Sequence, residues 1–198
     1  FYNKDSKYKF SEYKYLKNNK YWFFKHFWTP FIPYSNFLLK RKSKIIKSNN
    51  LELNNADYSL YFINGIITSQ KYAKYIRKYI EYIFDHQCII FYNETRSLLV
   101  DTIEVTLFSL FNIMTKFMKV IERTIINDLK INKKVILICY SEGTIMFSNI
   151  LTNMIRKKYK INYSNLEIYS IGGFASFNHT FKNNKPYIEI FYNTKDII

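Results

Sequence analysis

Short runs dominated by apolar residues on both faces, separated by stretches of helical period, constrain this chain more than any other feature. Tyr58–Ile63, Gln87–Tyr92, Val135–Cys139, Leu166–Ile171 and Tyr187–Phe191 are each five or six residues long and carry almost no charge. A strand with one wet face alternates apolar and polar residues, so an uninterrupted apolar run is buried on both sides. Between them, Ser69–Phe84 repeats Ala73, Ile76, Ile80 and Ile83. Ile103, Leu107, Leu110, Met114, Phe117, Ile121 and Ile125 mark one long helix from Leu99 to Asp128. A further helix is predicted from about Thr144 to Lys158. Strand and helix in alternation imply an α/β fold, a mostly parallel sheet with helices on both faces. At 198 residues the chain is long enough to bury such a core.

The third of these runs stops abruptly. Val135-Ile136-Leu137-Ile138 leads into Cys139-Tyr140-Ser141-Glu142-Gly143, and helical sequence begins at once. This is the strand–turn–helix setting that lifts a serine above a sheet edge as a nucleophile. The bend needs small residues two positions either side of the serine, and Cys139 and Gly143 supply them. The pattern is G-x-S-x-G with cysteine in the first glycine's place. The alternative role for Ser141 is a simple N-cap of the helix beside it.

A serine nucleophile needs a base, an acid that orients the base, and donors for the oxyanion. The backbone N–H of Glu142 is the first expected donor. Gly65 or Ile66, in the loop after the first strand, is expected to supply the second. The alternative role for Gly65 is an ordinary strand-end turn. Asp196 follows the fifth strand at the sheet edge that should carry the site, and is the candidate acid; its alternative is a solvated loop carboxylate. Of the three histidines, His26 lies in the N-terminal segment and His86 falls at the opposite sheet edge. His179 is on the correct edge but precedes the acid, so the base is expected beyond Ile198. The chain reads as a fragment that starts at Phe1 and lacks the end of its domain.

Taken together, Tyr61-Phe62-Ile63-Asn64-Gly65-Ile66, Phe91-Tyr92-Asn93-Glu94-Thr95-Arg96, the Ser141 elbow and Phe191-Tyr192-Asn193-Thr194-Lys195-Asp196 resemble the α/β-hydrolase superfamily, nearest to lipase-like bacterial proteins, including a chlamydial group. The resemblance covers residues 58–198. It implies an eight-stranded sheet of which this chain supplies the third to seventh strands, Ser141 as nucleophile, Asp196 as triad acid, and an acyl ester or lipid substrate. Tyr140 and Glu142 depart from the histidine and glutamine of that group, and Glu142 brings a carboxylate near the oxyanion position. A non-catalytic binding protein of the same fold is the rival expectation.

The formal charge of +15 is concentrated in residues 1–50, where twelve Lys/Arg face only Asp5 and Glu12. Residues 1–57 form a basic aromatic extension ending in the linker Ser48-Asn49-Asn50, expected to pack its aromatics on the domain 58–198 or to contact an anionic membrane surface. The dominance of Lys, Asn, Ile, Tyr and Phe also has the look of AT-rich coding. No nucleic-acid motif accompanies the charge, so nucleic acid is not an expected partner. No signal peptide is visible. Ile103–Met118 is interrupted by Glu104, Asn112 and Lys116 and is expected to be a buried or lid-forming helix, not a membrane span. Cys88 and Cys139 sit on separate strands as reduced core thiols, and neither a phosphate loop nor a metal pattern is present, so no cofactor is expected.

Overall fold

The computed structural model describes residues 43–47, 58–66, 68–95, 101, 103, 106, 107, 110–173, 175, 177, 181 and 184–192. Its strands are β1 (Lys44–Ile46), β2 (Tyr58–Ile63), β3 (Cys88–Tyr92), β4 (Lys134–Tyr140), β5 (Leu166–Ile171) and β6 (Tyr187–Phe191). Its helices are α1 (Gln70–Phe84), α2 (Lys116–Lys130) and α3 (Glu142–Arg156). The strands form one sheet in the order β1-β3-β2-β4-β5-β6, parallel throughout except for β1, which runs antiparallel to β3. The α/β architecture expected from the apolar runs is therefore present. β1 is an addition to it: Lys44–Ile46, read as part of the N-terminal extension, pairs with Ile90–Tyr92. Three residues are too short for any periodicity to announce them.

The two sheet faces separate by side-chain parity. Tyr61, Ile63, Phe91, Leu137, Cys139 and Ile168 pack with α2 and α3. Leu60, Phe62, Ile90, Ile136 and Ile138 pack on the other face with Ala73 and Ile80 of α1. Cys88 and Cys139 are free and buried, on strands separated by β2. Burial raises both thiols well above their ordinary range, which leaves them protonated and inert.

Local chemistry sets the helix ends. The Ser69 hydroxyl accepts from the Tyr72 N–H at α1, and Asp85 closes that helix in the left-handed conformation. The single long helix expected from Leu99 to Asp128 does not form. Residues 112–115 are non-helical, Asn112 has φ 50°, and the Thr115 hydroxyl starts α2 afresh by accepting from Met118 N–H. The apolar spacing runs across the break because both flanking segments are helical. The expectation of a buried or lid-forming helix also divides: Asp101 is fully buried, while Ile103, Leu107, Leu110 and Phe111 are exposed. Among the described residues, no helix is long and apolar enough to cross a membrane.

On the α2–α3 face, the Tyr61 hydroxyl donates to Asp128 Oδ2 at 2.6 Å. Burial first, and then this hydrogen bond, push the Tyr61 phenol well above its ordinary value near 10. The folded state then keeps a proton that the unfolded chain releases above pH ~10, so this contribution is complete below that pH and lost as pH rises through the alkaline range. Tyr61→Phe should cost about 1 kcal/mol at neutral pH and reduce the alkaline loss of stability, as read by urea unfolding at pH 7 and in the alkaline range. An unchanged alkaline slope would remove Tyr61 as its source.

Candidate functional site

Five parallel strands deliver their C-terminal ends to one rim. Register aligns Ile63 with Phe91 and with Cys139, Tyr140 with Ile171, and Ile171 with Phe191. From β2 the chain crosses to β3 on one side, and then to β4 on the other. The strand order reverses there, and the crevice beyond the C-terminal ends of β2 and β4 is where open α/β sheets bind ligands. Gly65 and Ser141 flank that crevice.

Ser141 occupies the turn between β4 and α3 with φ 51° and ψ −117°. This lies far from the left-handed well, whose ψ is near +47°. A non-glycine residue is held there only when its surroundings over-determine the backbone. Those surroundings are visible. The Ser141 N–H donates to the Ile171 carbonyl at 2.9 Å, and the Ser141 carbonyl accepts from Thr144 N–H at 2.9 Å. Thr144 is buried and accepts from Ser170 Oγ at 3.2 Å, tying the helix start to β5. The Ser141 hydroxyl makes no capping bond, although serine commonly does so at a helix start. The capping role weighed for Ser141 is therefore not the one it plays.

The need for glycine at the pinch is steric. A Cβ on Gly143 would lie 2.6 Å from the Ile63 carbonyl oxygen. A Cβ on Gly65 would lie 2.6 Å from Ser141 Cβ and 2.9 Å from the Tyr140 carbonyl oxygen. The β2 loop is thus pressed against the elbow, with Gly65 buried and Ile66 partly exposed. Cys139, in the first small position, is fully buried in the α2–α3 face.

A buried polar chain, absent from the sequence reading, holds these loops together. Asn64 Nδ2 donates to the Asn93 carbonyl at 2.8 Å and to the Gly65 carbonyl at 2.9 Å, while its Oδ1 accepts from Asn93 N–H at 2.7 Å. Asn93 Nδ2 donates to Glu142 Oε2 at 3.0 Å, and Asn93 Oδ1 accepts from Ser43 Oγ at 3.1 Å. Asn64, Asn93 and Glu142 are all buried. The Glu142 carboxylate is therefore turned inward onto Asn93. The only sequence trace of this arrangement was an asparagine directly after each of two apolar strands.

Asp196 and His179 lie outside the described residues, as do His26 and Arg96. β6 nevertheless ends level with the elbow, two strands away, and Gly172 N–H donates to the Phe191 carbonyl at 2.8 Å. His86 is buried at the opposite rim, its Nε2 2.9 Å from the Tyr58 carbonyl and its ring stacked on Tyr58, so it is remote from Ser141. Among the described residues no group of His, Cys, Asp and Glu could hold a metal ion. No family model, curated protein or solved structure matches the chain.

Two substitutions probe this geometry. Ser141→Gly should raise stability by about 1 kcal/mol, since relief of ~1–3 kcal/mol of backbone strain exceeds the ~0.5–1 kcal/mol entropic cost of glycine. Ser141→Ala, which keeps Cβ, should not; equal denaturation midpoints for all three proteins would refute the strain. Asn93→Ala should cost about 1–3 kcal/mol, because buried Glu142 loses its amide donor and Ser43 its acceptor while the Asn64 bonds to the backbone remain, and thermal unfolding measures it.

Proposed function

We propose that this protein is a serine hydrolase of α/β-hydrolase type, acting on an acyl ester or lipid-type substrate. The observation that carries the reading is Ser141: a non-glycine residue at φ 51° and ψ −117°, with a hydroxyl not spent on its helix, in the crevice where the strand order reverses. Its hydroxyl attacks the acyl carbonyl. The backbone N–H groups of Glu142 and of Gly65 or Ile66 receive the developing oxyanion. The close approach of Gly65 to Ser141 supports this assignment.

The inward turn of Glu142 answers the electrostatic objection to a carboxylate at that position. The carboxylate is buried and engaged by Asn93 Nδ2, so it does not stand as an exposed charge in the crevice. Asp196 is assigned as the acid, since the chain leaves β6 at the correct rim. The base is assigned to a histidine outside the described residues, because His86 is fixed at the far rim. It takes the Ser141 proton as the acyl bond forms and returns it to the leaving alcohol. The basic residues 1–50 are proposed to bring the enzyme to an anionic membrane surface.

A fluorophosphonate probe should label the full chain at Ser141, located by peptide mass spectrometry, and leave Ser141→Ala unlabelled. Labelling of the wild type should fall by orders of magnitude in Gly65→Val, whose side chain cannot enter the 2.6 Å gap. Failure of the folded full-length protein to label would overturn the hydrolase reading in favour of a binding protein of the same fold.

A further inference from the structure

The rim opposite the crevice is basic. Parallel pairing sets the starts of β4, β5 and β6 side by side there, with Val135 level with Leu166 and Glu167 level with Tyr187. α2 and α3 end at the same rim, because each feeds the strand that follows it. Two short connections therefore form one end face. The first is residues 131–133, between α2 and β4; the second is residues 157–165, between α3 and β5. Asn165 Nδ2 ties them by donating to the Asn132 carbonyl at 3.1 Å, and Lys134 Nζ lies 2.8 Å from Glu167 Oε1.

Six lysines stand on these connections and their edges: Lys130, Lys133 and Lys134 at the first, Lys157, Lys158 and Lys160 at the second. Five are exposed and Lys133 is half-buried. A cation in the last turn of a helix answers the helix dipole, but of the six only Lys130 occupies such a turn. The nearby carboxylates are engaged. Glu122 is buried against Asn153 and Lys157, Asp128 accepts the Tyr61 hydroxyl, and Glu167 pairs with Lys134. Asp85 precedes β3, two strands away from β4. At the centre of the first connection stands Ile131, 73% exposed and the most exposed aliphatic side chain among the described residues. Its turn is firmly bonded: Ile131 and Lys133 N–H donate to the Asp128 carbonyl at 3.2 and 3.0 Å, and Asn132 N–H to the Leu129 carbonyl at 3.1 Å. A lone exposed aliphatic is ordinary. One fixed at the tip of a turn among six lysines is a pattern with a physical use.

We propose that this rim docks on an anionic lipid surface, with the lysines among the headgroups and Ile131 in the apolar boundary beneath them. The aliphatic tip decides between polyanions. Single-stranded nucleic acid is held by aromatic rings set among cations, and a phosphate backbone offers nothing apolar to Ile131. The surface is distinct from residues 1–50, and the inference does not rest on the hydrolase reading. Docked in this way, the protein holds its crevice away from the bilayer by the length of β4, roughly 20 Å.

The test reads which part of the full-length protein meets the membrane. A fluorophore is attached through Ser164→Cys, on the exposed second connection, or through Lys116→Cys at the far end of α2, about 20 Å away; Cys88 and Cys139 are buried. The vesicles are equal parts phosphatidylserine and phosphatidylcholine, with a nitroxide on a fraction of the headgroups. The Ser164→Cys label should be quenched and the Lys116→Cys label should not, and vesicles of phosphatidylcholine alone should quench neither. The vesicle concentration for half-quenching should rise about tenfold with Ile131→Ser. It should rise about 100-fold when Lys130→Gln, Lys133→Gln and Lys160→Gln are combined. Lys71→Gln, Lys74→Gln and Lys78→Gln, the same charge change on the exposed side of α1, should shift it little. Vesicle binding with no quenching of the Ser164→Cys label places the contact elsewhere in the chain and overturns the proposal. So do equal effects of the two triple variants, which would reduce the attraction to overall charge. A label that responds to single-stranded RNA but not to vesicles makes the rim a nucleic-acid surface and rejects the lipid assignment.

Discussion

The contact on which the site depends is the approach of the β2 loop and the β2 backbone to the turn between β4 and α3. Gly143 sits where a side chain would meet the Ile63 carbonyl, and Gly65 where one would meet Ser141. This close packing lets α3 start directly at the strand end and fixes the Ser141 backbone in a conformation that serine would otherwise avoid. Burial of α3 along nearly its whole length supplies the counter-force. Met146, Phe147, Ile150, Leu151 and Met154 are all embedded in the sheet's lower core. A helix held that firmly cannot shift to relax its first residue.

A second constraint is polar. Buried side-chain amides are costly unless satisfied, and here Asn64 uses both ends of its amide on the Asn93 backbone. The pair ties the ends of β2 and β3 where the ladder stops, and Asn93 extends the link to Glu142 at the start of α3. Three separate strand ends are thereby held in one register. A rigid rim of that kind is what preorganised backbone donors require, since their value lies in not having to move as charge develops.

Much of the fold was legible because it is written in local periodicity. The runs Tyr58–Ile63, Leu166–Ile171 and Tyr187–Phe191 appear as strands with the expected ends, and the helix expected after Ser69 begins with that serine as its cap. The elbow was legible because its steric demand for small residues leaves a mark in sequence. The break at Asn112–Thr115 was not: apolar spacing continues through it, and the left-handed Asn112 and the Thr115 cap are single-residue events inside a longer pattern. Nor was β1, whose three residues acquire strand geometry only by pairing with β3.

What the chain determined by itself is the five longer strands, the helices after Ser69 and after the sharp turn, the buried cysteines and the position of that turn, since each follows from residues adjacent in sequence. Which strands are neighbours, and hence where the order reverses, was decided only by tertiary structure. So was the inward turn of Glu142 onto an asparagine forty-nine residues away. These depend on which distant segments meet. No local propensity encodes that, because the free energy involved arises only when the surfaces are brought together.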